Sequence, residues 1–180
     1  MCTNTMLTIS KEQFLEKKEE YLEKIRQGAI FIYPTDTIYG IGCDATNDEA
    51  VKRIRETKSR TDQPFSIIAP SKEWIAETCV VHKNAFAWIK RLPGPYTFLL
   101  KTKEKKFSNQ VNPNLDTIGI RMPDNWFTSI AKELNLPIVS TSANKSGQPH
   151  MTSLDDLNPE IKVDFIIYEG KKEGNPSTIV

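Results

Sequence analysis

The sequence predicts an α/β fold built on a twisted mixed sheet with covering helices. Short β-branched apolar runs alternate with amphipathic helical stretches along the whole chain, the pattern of a sheet with helices packed on it. Pro93-Gly94-Pro95 and the loop over 102–114 interrupt that alternation, which argues for a mixed rather than a purely parallel sheet. No repeat, low-complexity stretch or linker divides the 180 residues, a length that fits one domain.

Ser10 followed by Gln13 reads as a capping box, opening a helix whose stripe of Phe14, Leu15, Tyr21, Leu22 and Ile25 runs to a stop at Gly28. Residues 29–33 form a buried strand. Asn47 caps a second helix with Ala50, Val51 and Ile54 on one face, ending near Lys58. A strand over 64–69, helical pieces over 72–78 and 84–90, and strands over 96–100 and 117–121 follow. Asp124 is the expected cap of a helix with Trp126, Phe127, Ile130, Ala131 and Leu134 on one face. A strand over 137–141, a polar loop over 142–149, a short helix started by Thr152 and Asp155, a strand over 163–168 and the start of another at 177–180 complete the pattern.

Basic and acidic side chains number 24 and 23, so an RNA contact would need a local patch, not the whole surface. Lys101, Lys103, Lys105 and Lys106 form the densest cluster and read first as a solvated loop, as does the pair Lys171 and Lys172. Cys2, Cys43 and Cys79 are too scattered for a disulfide framework or a zinc site, and His82 and His150 lack a second ligand at metal spacing. Cys43 and Cys79 are expected to pack as small hydrophobes. Residues 1–10 are polar and no run approaches a membrane span. The expectation is a soluble protein of a reducing compartment, the cytoplasm.

Four polar segments stand at strand or helix ends, where α/β sheets collect ligands. Residues 34–42 (PTDTIYGIG) follow a buried strand and offer two threonine hydroxyls, a carboxylate, a phenol and two glycines. Lys58-Ser59-Arg60 ends a helix and places a point charge beside a planar fork, both suited to phosphate, although a plain C-terminal charge pair looks the same. In 117–123 (TIGIRMP) strand alternation puts Thr117, Gly119 and Arg121 on one face. Residues 140–147 (STSANKSG) cluster hydroxyls, an amide and a glycine in a candidate phosphate nest that lacks P-loop spacing. No acid pair, Ser-His-Asp set or Cys-His set accompanies them. Hydroxyls plus cations suit an anionic nucleotide, where positioning and charge stabilisation do most of the catalysis.

The order and wording of these segments carry a resemblance. YPTDTIYGIGCDA, KSR followed by PFSIIAP, LPGPYTFLL, TIGIRMPDN, PIVSTSANKSGQP and PSTIV together resemble the YrdC-like family, the threonylcarbamoyl-AMP synthases, over nearly the whole length. The resemblance implies a large concave cavity. It also implies condensation of L-threonine, bicarbonate and ATP, with magnesium, into threonylcarbamoyl-AMP and pyrophosphate, for later transfer to tRNA by a separate transferase. Threonine contacts carry over to Thr35, Arg121 and Ser140, and ATP contacts to Lys58, Arg60, Thr117, Ser142 and Asn144, with Lys58 and Arg60 nearest the phosphates. The nucleophile would come from the substrate. Thr61 stands where the family often has proline, the spacer to Pro64 is short, Gln63 is a candidate replacement for a polar nucleotide contact, and His150 stands where a serine is common. The implied single domain covers 1–180, and the family pattern continues past Val180 to an acidic residue and an arginine that reaches the nucleotide. Two other readings share the fold. One is a non-catalytic protein binding tRNA or double-stranded RNA, from a subgroup without the Lys-x-Arg and Ser-Ala-Asn signatures. The other is a carbamoyl-phosphate-related domain of hydrogenase maturation proteins, which belong to longer, zinc-finger-bearing chains.

Overall fold

The computed structural model describes residues 6–180, so Cys2 lies outside the described residues. Nine strands form one sheet: β1 (Leu7–Ile9), β2 (Phe31–Tyr33), β3 (Gly40–Gly42), β4 (Ser66–Ile68), β5 (Tyr96–Lys101), β6 (Thr117–Arg121), β7 (Ile138–Ser142), β8 (Phe165–Ile167) and β9 (Thr178–Ile179), in the order β1-β8-β2-β3-β7-β4-β6-β5-β9. The sheet is mixed: β1, β8 and β2 run parallel, β3 is antiparallel to both β2 and β7, β4 is antiparallel to β7 and parallel to β6, β5 is antiparallel to β6, and β9 lies parallel on β5.

Both faces are buried. Along β2, Phe31 and Tyr33 enter one apolar cluster and Ile32 the other, and β8 repeats this with Phe165, Ile167 and Ile166. Helices α1 (Lys11–Glu16), α2 (Lys18–Arg26) and α6 (Phe127–Leu134) cover the first face through Phe14, Leu22, Ile25 and Ile130. Helices α3 (Asp48–Lys58), α4 (Lys72–Thr78) and α5 (Lys83–Ile89) cover the other through Val51, Ile54, Ile75 and Ile89.

The Ser10–Gln13 capping box is formed, and Asn47 caps α3 by accepting from the Ala50 amide. Four expectations are corrected. The first helical stretch is two helices, because Lys17 leaves helical geometry (φ −111°, ψ 34°) and one stripe continues across the break. Residues 7–9, read as part of a polar start, form edge strand β1, too short to show alternation. Asp124 does not cap α6; its amide donates to Asp36, and Asn125 accepts from the Phe127 amide instead. The short turn at Leu154–Asp156 is capped by Ser153 with Asp156, not by Thr152 with Asp155.

Strand β3 ends the polar segment 34–42, where Gly-Ile-Gly carries little strand signal. Its glycines permit close layering instead. A Cβ on Gly42 would stand 2.7 Å from the Tyr33 ring and 2.8 Å from the Val139 carbonyl oxygen. Gly42→Ala is therefore expected to cost about 1–3 kcal/mol through overpacking, read as a lower urea midpoint at unchanged slope. An unchanged midpoint would show that β3 has room there.

Candidate active site

Helix α3 ends at Ser59 in the left-handed region (φ 52°), which turns the chain so that the Arg60 amide donates to the Arg55 carbonyl. Strand β7 runs antiparallel between β3 and β4, with Gly40 opposite Ser142 and Ser66 opposite Ser140. Arg121 ends β6 beside Ile68. These strand ends and the α3 C-terminus enclose a cavity of about 210 Å³. Arg60 and Arg121 border it, and Ser66, Thr97, Ser140, Thr141, Ser142 and Ser177 supply hydroxyls.

Arg121 is 7% exposed. Its guanidinium donates to Asp36 Oδ1 (3.3 Å), Thr37 Oγ1 (3.1 Å) and, at 3.4 Å, Ser140 Oγ. Asp36 also accepts from the Asp124 amide at 2.9 Å, so one carboxylate ties residues 34–39 to the end of β6. Arg60 donates to the Pro64 carbonyl (2.8 Å) and weakly to Thr141 Oγ1 (3.4 Å), with its guanidinium 5.1 Å from the centre of the Phe65 ring. The Nε of Arg60 and the Nε of Arg121 are both buried without a partner among the described residues. Burial opposes both charges; Arg55 adds to this at Arg60, whereas Tyr33 and Asp36 support Arg121. Two cations beside a hydroxyl-lined cavity are chemistry suited to an anion.

The site offers no general base near neutrality among its buried phenols. Burial pushes Tyr33 and Tyr39 up to about 12, and their hydroxyls donate to the carbonyls of Val139 and Gly170. Burial also raises the thiols of Cys43 and Cys79, which pack in the apolar core. No group of three or more His, Cys, Asp or Glu side chains among the described residues could hold a metal.

Of the eight residues proposed from sequence, Arg60, Arg121, Ser140 and Ser142 line this cavity and four do not. Lys58 is 1% exposed, and its ammonium donates to the Ser142 carbonyl (2.5 Å), the Asn144 carbonyl (2.7 Å) and Asn144 Oδ1 (3.1 Å). It holds the loop after β7 in shape. Asn144 accepts from the Ser142 hydroxyl (2.5 Å) and faces a second hollow of about 560 Å³, bordered also by Gln148, His150 and Asp155. The Thr35 hydroxyl closes its own turn, donating to the Ile38 carbonyl (2.7 Å) and accepting from the Thr37 and Ile38 amides. Thr117 is exposed at the start of β6, opposite Lys101 and roughly 13 Å along the strand from Arg121. Gln63 reaches the same loop as Lys58, accepting from the Ser146 hydroxyl at 3.3 Å.

Sequence reasoning did not single out Asp36 or Thr37 as Arg121 partners, nor Ser66, Thr97 and Ser177 as lining. Only the strand order brings these positions together. In the lysine cluster, Lys101 pairs with Asp116 (3.6 Å) and Lys106 with Glu77 (2.7 Å).

Comparison with known proteins agrees with this architecture. The Sua5/YciO/YrdC family model, described as "Telomere recombination", matches residues 23–180. A Methanocaldococcus jannaschii protein provisionally named threonylcarbamoyl-AMP synthase is 39% identical over 179 residues, covering 94% of this chain and 82% of that protein. The threonylcarbamoyl-AMP synthase of Bacillus subtilis is 36% identical over 137 residues, covering 74% of this chain and 40% of its own. The crystal structure of P. abyssi Sua5 complexed with L-threonine superposes with a TM-score of 0.83 at 31% identity, covering 98% of this chain and 54% of that one. This chain therefore spans about half the length of that structure. No helix among the described residues is long and apolar enough to cross a membrane. Family model, sequence identity and superposition agree that the chain belongs to the Sua5/YciO/YrdC family.

Proposed function

We propose that this chain is an L-threonylcarbamoyladenylate synthase, condensing L-threonine, bicarbonate and ATP to threonylcarbamoyl-AMP with release of pyrophosphate. The observation that carries this reading is the pairing of Arg60 and Arg121 on the wall of one hydroxyl-lined cavity. The threonine amine attacks the carbon of bicarbonate, and water leaves as the carbamate forms. A carbamate oxygen then attacks the α-phosphorus of ATP. The bond from that phosphorus to the oxygen bridging the α- and β-phosphates breaks, and pyrophosphate departs. The attacking amine is the deprotonated form, its proton passing to solvent, and the nucleophile in both steps belongs to the substrate, so the chain needs no nucleophile of its own. Its residues hold the partners in line and neutralise phosphate charge, and such positioning is worth about 7–11 kcal/mol of barrier when the geometry is right.

In this reading Arg121 takes the threonine carboxylate and Arg60 the phosphates, while Lys58 keeps residues 142–144 shaped for the nucleotide. Magnesium arrives with the triphosphate, in keeping with its preference for phosphate oxygens plus few protein ligands. The product goes to a tRNA through a separate transferase.

The test is incubation with MgATP, bicarbonate and either threonine or valine. Pyrophosphate and the labile adenylate are expected with threonine, whereas valine should react about 10⁴-fold less well, as in sites built to hydrogen-bond a hydroxyl. Equal turnover of the two amino acids would remove threonine from this reading.

A further inference from the structure

Arg55 lies one turn before the end of α3 and is 7% exposed, yet none of its hydrogen bonds among the described residues goes to a carboxylate. All five of its N–H groups meet backbone carbonyls. Nε donates to Gln110 (2.7 Å), one terminal nitrogen to Thr61 (2.9 Å) and Gln63 (3.1 Å), and the other to Gln110 (2.5 Å) and Val111 (3.3 Å). A guanidinium with every donor engaged has none left for a ligand. Its charge is met by these carbonyl dipoles, by the face of the Phe65 ring and by the nearby Asp62 carboxylate.

Those carbonyls belong to the spacer that joins Arg60 to Pro64, and to the loop that leads toward β6. Arg55 and Arg60 also share one aromatic ring, their guanidinium carbons standing 4.4 and 5.1 Å from the centre of Phe65. Arg60 itself has little to fix it: one firm bond to Pro64 and a weak one to Thr141. The three residues Thr61, Asp62 and Gln63 are exposed and would otherwise be free to carry Arg60 out of the cavity.

We propose that Arg55 is a positioning residue for phosphate binding, clamping residues 61–63 so that Arg60 stays on the cavity wall. This rests on the reading that Arg60 meets the phosphates. The planar fork is essential because several carbonyls at fixed angles must be met at once, which a lysine point charge cannot do.

The experiment is calorimetric titration of MgATP into the full chain and into Arg60→Ala, Arg55→Met, Arg55→Lys and the double variant Arg55→Met/Arg60→Ala, with thermal melting of each. Arg60→Ala and Arg55→Met should each weaken ATP binding about tenfold or more, as loss of a charged hydrogen bond does. The KM for threonine should stay within about twofold, and the double variant should bind no more weakly than Arg60→Ala, because Arg55 acts through Arg60. If Arg55→Met does not fold, Arg55→Lys and its combination with Arg60→Ala carry the same comparison. ATP affinity unchanged in the Arg55 variants, or losses that multiply in the double variant, would overturn the proposal while leaving the phosphate reading intact. Unchanged affinity in Arg60→Ala would overturn the phosphate reading itself, and the proposal with it.

Discussion

Replacing Arg121 by alanine should abolish threonine-dependent pyrophosphate release, by at least about a hundredfold, and lower stability by about 3–5 kcal/mol. The two losses have different origins. In the proposed function, activity falls because the cation assigned to the amino-acid carboxylate is gone. Stability falls because Asp36, whose side chain is 10% exposed, loses its ion-pair partner. Asp36→Asn in the Arg121→Ala background removes the stranded charge and can still accept from the Asp124 amide. That double variant should recover most of the stability and none of the activity. Recovery of activity along with stability would mean that Arg121 only props up the fold. Urea melts and pyrophosphate assays on the same preparations separate the cases.

Lys58 should show its role through pH. Burial, with Arg60 nearby, pulls its ammonium from the usual 10.5 to about 7, against three oxygen acceptors that favour the charge. Below about pH 7 the group is protonated folded and unfolded, and contributes no slope. Between about 7 and 10.5 the unfolded chain holds a proton that the folded chain has released. Unfolding free energy therefore rises with pH across that window, by up to about 1.4 kcal/mol per pH unit. Lys58→Met should flatten this rise. At pH 7 it should also cost about 3 kcal/mol or more, because two carbonyls and the Asn144 amide oxygen lose their donor. A pH slope that survives in Lys58→Met would assign the titration to another group.

Much of the fold was legible because strands and helices here are set by local chemistry. The Ser10–Gln13 and Asn47 caps, the break at Pro93-Gly94-Pro95 and the mixed character of the sheet all show in the order of residues. What did not show is short or depends on contact. Strands of three residues, such as β1 and β3, carry almost no periodic signal. The site was legible as residue types and illegible as geometry. Thr35 and Arg121 both sit in polar strand-end segments, but only the folded arrangement reveals that the Thr35 hydroxyl is consumed by its own turn while Arg121 borders the cavity. Thr117 shares a strand face with Arg121, yet the two stand four positions apart along extended chain. Lys58 and Arg60, two positions apart, do different work because the left-handed turn at Ser59 sends their side chains to different places.

The wall of the cavity formed by Pro176 and Ser177 is secured by an edge strand of only two residues, β9. Its hold includes the parallel pairing of Thr178 and Ile179 with Tyr96 and Thr97, the Thr178 amide on the Pro95 carbonyl, the Val180 amide on Thr97, the Leu99 amide on Val180, and the hydroxyl contact between Thr97 and Ser177. At roughly 1 kcal/mol net for each such bond, fraying the strand costs at least about 4 kcal/mol. That corresponds to an open fraction of at most about one molecule in a thousand. Edge fraying is among the fast, low-energy excursions of a fold. Access to the arginines can thus widen without any helix moving or the central sheet breaking, and a ligand larger than 210 Å³ would enter by the sheet's weakest seam.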